Sequence, residues 1–148
     1  MPPLPLLSLA YLDTRSADGF FRKYRAIAVR GRLYPLHLAV GTSWRVHYFS
    51  AAMDENEAHR DEERRFLNDP QTALGAVAWA ALERVAACLD LDYCGIDFAL
   101  DDRGELVVFE ANPAMTIIAP PGDDDRFAYR LPATQAVLRA MAALADPG

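Results

Sequence analysis

The sequence predicts an α+β domain, an antiparallel sheet with packed helices. Three observations point there. Two pairs of alternating segments, Phe20 to Arg30 with Leu33 to Val40 and Tyr93 to Leu100 with Leu106 to Ala111, each enclose turn residues, as hairpins do. Apolar stripes at helical spacing run from Asp69 to about Leu89 and from Pro132 to Ala145. The composition, 148 residues with 52% hydrophobic and 24% charged, suits one domain with a real core.

Leu6 to Leu12 reads as a strand leading into a polar loop, Asp13 to Gly19. In the first hairpin Lys23, Arg25, Ile27 and Val29 share one face, and Arg22, Tyr24, Ala26 and Ala28 share the other. Gly31-Arg32 is the expected two-residue turn. Leu36, Leu38 and Val40 fall on one face of the return strand, and Pro35 marks an edge or a bulge. Gly41-Thr42-Ser43 breaks the pattern. The charge-dense run Met53 to Asn68 reads as an exposed helix anchored by Phe66 and Leu67. Asp69 caps a helix with Pro70 at its first position, and Leu74, Val77, Ala78, Ala81, Leu82, Val85 and Leu89 form its apolar stripe. Residues 113–126, with Asp123 to Asp125, read as a solvated loop, mobile around Pro121 to Asp125. The closing helix turns Val137, Leu138, Met141 and Leu144 inward.

The second hairpin carries the chemistry. Asp101, Asp102 and Gly104 supply its turn. Ile96, Phe98 and Leu100 make a core face that Val107, Phe109 and Ala111 extend. Asp97 points the other way, as do Glu110 and Asn112. A four-residue loop centred between Arg103 and Gly104 places Asp97 directly opposite Glu110. Facing carboxylates repel, and no Lys or Arg of the local sequence separates them. Water on an outer hairpin face is one resolution. A divalent cation is the other, and carboxylate and amide oxygens suit Mg²⁺ better than Zn²⁺.

Asp97-Phe98 and, one strand later, Phe109-Glu110-Ala111-Asn112-Pro113 resemble the metal-binding end of the ATP-grasp fold, as in relatives of D-alanine–D-alanine ligase and glutathione synthetase. The resemblance spans about residues 12–144 and matches only the C-terminal half of that fold. It implies that Asp97, Glu110 and Asn112 hold Mg²⁺ bridging the phosphates of ATP. It implies too that Lys23 and Arg25 face those phosphates, where a triphosphate needs cations. Arg45 and His47, after the Gly-Thr-Ser break, are further candidates. Arg25 and Arg45 are the catalytic candidates, and His47 joins Lys23 and Arg25 as cofactor-binding. Two departures stand out. Lys23 is the one lysine of the chain, so the N-terminal domain and the nucleotide-clamping subdomain, with its lysines and Gly-rich loop, have no counterpart. Gly95 stands where several amino-acid ligases of the family place an arginine.

A net charge of −6 argues against an unassisted nucleic-acid binder. Cys88 and Cys94 lack a His at metal spacing and read as buried free thiols. The start, MPPLPLLSLA, has no basic region and is broken by Pro, so neither a signal peptide nor a membrane anchor is expected, which points to the cytoplasm. Two functions follow. One is an ATP- and Mg²⁺-binding domain of a carboxylate–amine or carboxylate–thiol ligase acting through an acyl phosphate, incomplete in this chain. The other is a non-catalytic or truncated metal- or nucleotide-binding module that a partner chain or oligomer completes.

Overall fold

The computed structural model describes residues 11–46, 53–119 and 125–145. The elements run β1 (Phe21–Val29), β2 (Arg32–Gly41), α1 (Glu57–Asn68), α2 (Pro70–Leu74), α3 (Ala76–Leu89), β3 (Tyr93–Leu100), β4 (Leu106–Asn112), a 3₁₀ helix (Asp125–Arg130) and α4 (Leu131–Ala145). The strands form one four-stranded antiparallel sheet in the order β2-β1-β3-β4. The expected α+β class is present. Of the strand expected at Leu6 to Leu12, residues 1–10 lie outside the described segments, and Tyr11 and Leu12 are exposed and irregular.

One face of the sheet carries the larger core. Tyr24, Ala26 and Ala28 of β1, Leu38 and Val40 of β2, and Cys94, Ile96 and Phe98 of β3 meet Phe66, Leu74, Ala78, Trp79, Leu82 and Ala86 from α1, α2 and α3. Tyr24 and Phe98 stack at 5.4 Å between ring centroids, with Phe66 edge-on to both. On the opposite face a smaller cluster joins Ile27, Val29, Leu36 and Met115 to Val137 of α4. That second cover is partial, so the strand centres beside it carry charge.

Local chemistry explains where the elements depart from expectation. The β1–β2 turn is Arg30-Gly31, one residue earlier than read from the sequence. Both residues have positive φ (47° and 75°), the geometry of a type I′ hairpin turn, and only the glycine adopts it without strain. The expected bulge near Pro35 exists: Arg25 faces His37 while Ala26 faces Pro35, which leaves Leu36 over. Leu36 therefore joins the α4 cluster instead of sharing a face with Leu38 and Val40. The helix expected from Asp69 to Leu89 breaks at Gly75 (φ 87°) into α2 and α3. The break rotates the inward stripe, so Val77 is 80% exposed and Trp79 is buried. Leu138 faces outward and Cys88 is exposed, whereas Val137 and Cys94 are buried.

The largest correction concerns α1. Asn56 caps it by accepting from the amides of Ala58 and His59. Its charged surface is not all solvated, because Glu63 is 0% exposed. Glu63 Oε1 accepts from the Leu38 amide at 3.1 Å. Oε2 accepts from the Tyr129 hydroxyl and from Arg130 Nε and Nη2, at 2.8 and 2.6 Å for the two guanidinium contacts. One buried carboxylate thus ties α1, the edge of β2 and the entry to α4 together. Glu63→Ala should cost about 3–5 kcal/mol in urea unfolding, while a paired Glu63→Met, Arg130→Met variant should cost less, because it leaves neither charge buried alone.

Candidate functional site

The second sheet face brings four polar side chains into one row. His37 on β2 pairs with Arg25 on β1, Arg25 with Asp97 on β3, and Asp97 with Glu110 on β4. The row crosses the whole sheet. A bulge lies at each end of it, at Leu36 on β2 and at Phe109 on β4. Such irregularities re-aim the side chains beside them and concentrate next to functional sites.

The register of the β3–β4 hairpin matches the sequence-based expectation by a different route. The loop spans residues 101–105, one more than the expected four, closed by Asp101 Oδ1 accepting from the amides of Arg103 (2.9 Å) and Glu105 (2.8 Å). The extra residue at Phe109 offsets the longer loop and returns Asp97 to Glu110. The bulge also corrects the core face. Leu106, not Val107, packs beside Leu100, and Val108 and Phe109 stay partly exposed.

The conflict between the facing carboxylates is met by the neighbouring strand. Asp97 is 3% exposed. Its Oδ1 and Oδ2 accept from Arg25 Nε and Nη2 at 2.6 and 2.9 Å, a two-pronged pair, and Lys23 Nζ lies 3.2 Å from Oδ2. Burial alone pushes the Asp97 carboxyl up. The Arg25 hydrogen bonds, with the charges of Arg25 and Lys23, outweigh it and hold the group below the ordinary carboxylate range. Lys23 and Arg25 share a face, as predicted, but they face Asp97. Nothing in the local sequence signals this, because the pairing of β1 with β3 joins residues far apart in the chain.

Glu110 is exposed. It accepts from Asn112 Nδ2 at 3.0 Å, and Asn112 Oδ1 accepts from the Ala114 amide at 2.8 Å. Asp97, Glu110 and Asn112 therefore lie on adjoining strands as a set of hard oxygen donors, which fits a cation such as Mg²⁺. Among the described residues no group of three or more His, Cys, Asp or Glu side chains converges as a metal cluster. The fit rests on two carboxylates plus the Asn112 amide, with Asp97 already engaged by two cations.

The remaining candidates are placed unevenly. Arg45 is exposed after β2, with its guanidinium 4.9 Å from the Trp44 ring centroid. His47 lies outside the described residues. Gly95, two residues before Asp97, sits beneath Met115: a Cβ there would come 2.3 Å from Met115 Cβ and Cγ. Tyr93 holds the Met115 carbonyl through its hydroxyl. An arginine at this position is therefore incompatible with the path of the chain after Asn112. Two open depressions, of about 490 and 240 Å³, lie beside α1–α2 and beside α4. Neither is lined by Lys23, Arg25, Asp97 or Glu110. No helix of the described residues is long and apolar enough to cross a membrane.

No family model, curated protein or solved structure matches this chain.

His37 is the buried end of the row on β2. Burial, and then the charge of Arg25, depress its pKa to about 3. It is neutral when folded and binds a proton when unfolded below its ordinary value near 6.5. Its contribution is therefore complete above pH 6.5 and is lost as pH falls towards 3. Asp97, with its depressed pKa, loses its contribution only below about pH 4. Between pH 7 and 4.5 the protein should lose about 2–3 kcal/mol in urea unfolding through His37, and His37→Leu should flatten that dependence. Separately, Gly95→Ala should cost about 1–3 kcal/mol by displacing Met115, read in the same assay.

Proposed function

We propose that this chain carries the metal- and phosphate-binding part of an ATP-grasp carboxylate–amine or carboxylate–thiol ligase. The observation that supports it most is the pairing of Asp97 with Glu110, with Asn112 two residues on and Lys23 and Arg25 on the same face. A site for a metal–triphosphate needs both hard oxygen donors and cations within reach of one another, and this face holds both.

In this reading Asp97, Glu110 and Asn112 hold Mg²⁺, with Asn112 contributing its amide oxygen. The bound metal supplies charge neutralisation on the transferring phosphoryl group. Lys23 and Arg25 turn from Asp97 to the phosphate oxygens, and Arg25, at the centre of the row, stabilises the charge that develops there. The stack of Tyr24 on Phe98 beneath the row keeps β1 and β3 in register. Arg45 and His47 follow β2 in sequence and are assigned to the acceptor side. The reaction is ligation through an acyl phosphate. With Gly95 covered by Met115, Arg25 and Arg45 are the candidates for a cation acting on the tetrahedral intermediate.

A second reading has one observation in its favour. The two described depressions lie away from the row, so neither of them supplies a pocket for a base beside the residues that would bind phosphate. A module that binds metal and phosphate, and that a partner chain completes, fits this equally.

Thermal unfolding with ATP and Mg²⁺ tests the shared core of both readings. Together they should raise Tm by about 2–5 °C, and Asp97→Asn and Glu110→Gln should each remove the shift. An equal shift in both variants would place the nucleotide elsewhere. Phosphate release with a panel of carboxylates and amines separates ligase from module.

A further inference from the structure

From the saturation of Asp97 we infer that Lys23 and Arg25 form an exchangeable lock on the carboxylate, so that a divalent cation enters this site only together with a polyanion. The inference rests on the metal–phosphate reading above and adds to it a rule of entry.

The geometry carries it. Both oxygens of Asp97 accept from the Arg25 fork, and Oδ2 also faces Lys23 Nζ at 3.2 Å. The carboxylate side chain is 5% exposed, while those of Lys23 and Arg25 are 20% and 16% exposed. The cations are therefore the more accessible partners, and they can turn outward while Asp97 stays in place. Arg25 also feels the charge of Glu110.

Charge balance gives the rule. Lys23 and Arg25 contribute two positive charges, and Asp97 and Glu110 two negative ones, so the row is neutral as it stands. A divalent cation entering alone must displace Lys23 or Arg25 from Asp97 and leaves two uncompensated positive charges in a partly buried place. A triphosphate entering alone leaves an excess of negative charge beside two carboxylates. Entering together they pair off locally: two phosphate charges meet Lys23 and Arg25, and the metal meets the freed Asp97 with Glu110. Binding of each is then coupled to binding of the other.

The rule predicts a gain of function. Removing the two cations leaves Asp97 and Glu110 facing each other without compensation, a site for a divalent cation alone. Mn²⁺ serves as the probe, followed by the loss of its free-ion electron paramagnetic resonance signal. Wild-type protein should bind Mn²⁺ weakly without phosphate. A Lys23→Gln, Arg25→Gln variant should bind it on the order of 10- to 100-fold more tightly, the weight of a charge-assisted hydrogen bond. Adding Asp97→Asn should abolish the gain. Lys23→Gln alone, which keeps the Arg25 fork, should give an intermediate affinity and serves if the double variant does not fold by circular dichroism.

If wild type binds Mn²⁺ as tightly as the variants do, there is no lock, although the metal site stands. If the folded variants gain nothing while wild type keeps its joint Mg²⁺–ATP thermal shift, the lock is again overturned and the metal–phosphate reading survives. Loss of that joint shift in wild type overturns the metal–phosphate reading itself, whatever Mn²⁺ does.

Discussion

The structure depends on one ion pair across the centre of the sheet. Arg25 and Asp97 are directly paired on adjacent strands, and the guanidinium closes on both carboxylate oxygens. Asp97 is nearly inaccessible, so its charge has to be met within the protein. His37 next to Arg25 is held neutral by burial and then by the Arg25 charge, and Glu110 on the far side is left at the surface with Asn112 as its partner. The polar row follows from that single pairing, and the apolar face behind it follows from the alternation of the same strands.

The rest of the fold holds that row in place. The aromatic stack of Tyr24 on Phe98 lies directly behind it and is closed by Phe66 of α1. Arg22, on the helix side of β1, reaches Glu62 at 2.5 Å, and Glu63 reaches the edge of β2 through the Leu38 amide. Thus α1, which looks like a solvated helix by composition, is fastened by two neighbouring carboxylates to two strands. On the other face α4 covers only the end of the sheet that holds Ile27 and Val29. Met115 crosses Gly95 at the border between the apolar and the charged halves, which is why that position carries no side chain.

Much of this was legible in the residues, and most of what was not has a common cause. Strand alternation in Phe20 to Arg30 assigned both faces of β1 correctly, because period two needs no tertiary information. The pairing of Asp97 with Glu110 was also right, yet through two compensating departures, a longer loop and a bulge at Phe109. The stripe on α3 was displaced because the helix was read as continuous from Asp69 to Leu89, whereas the positive φ of Gly75 breaks it. Glu63 was lost among its charged neighbours, since periodicity cannot say which carboxylate of a charged helix finds an arginine 67 residues later. The same holds for Arg25 and Asp97, separated by 72 residues. In each case the missing information was which strand or helix lies next to which.

The central claim, that the Arg25–Asp97 pair organises this face, is tested most directly by a double-mutant cycle. Arg25→Gln, Asp97→Asn and the double variant are compared with wild type by urea unfolding at pH 7. The structure predicts that either single change costs more than its share of the double, with a coupling of about 1.5–3 kcal/mol. Additive effects, with no coupling beyond about 0.5 kcal/mol, would contradict it.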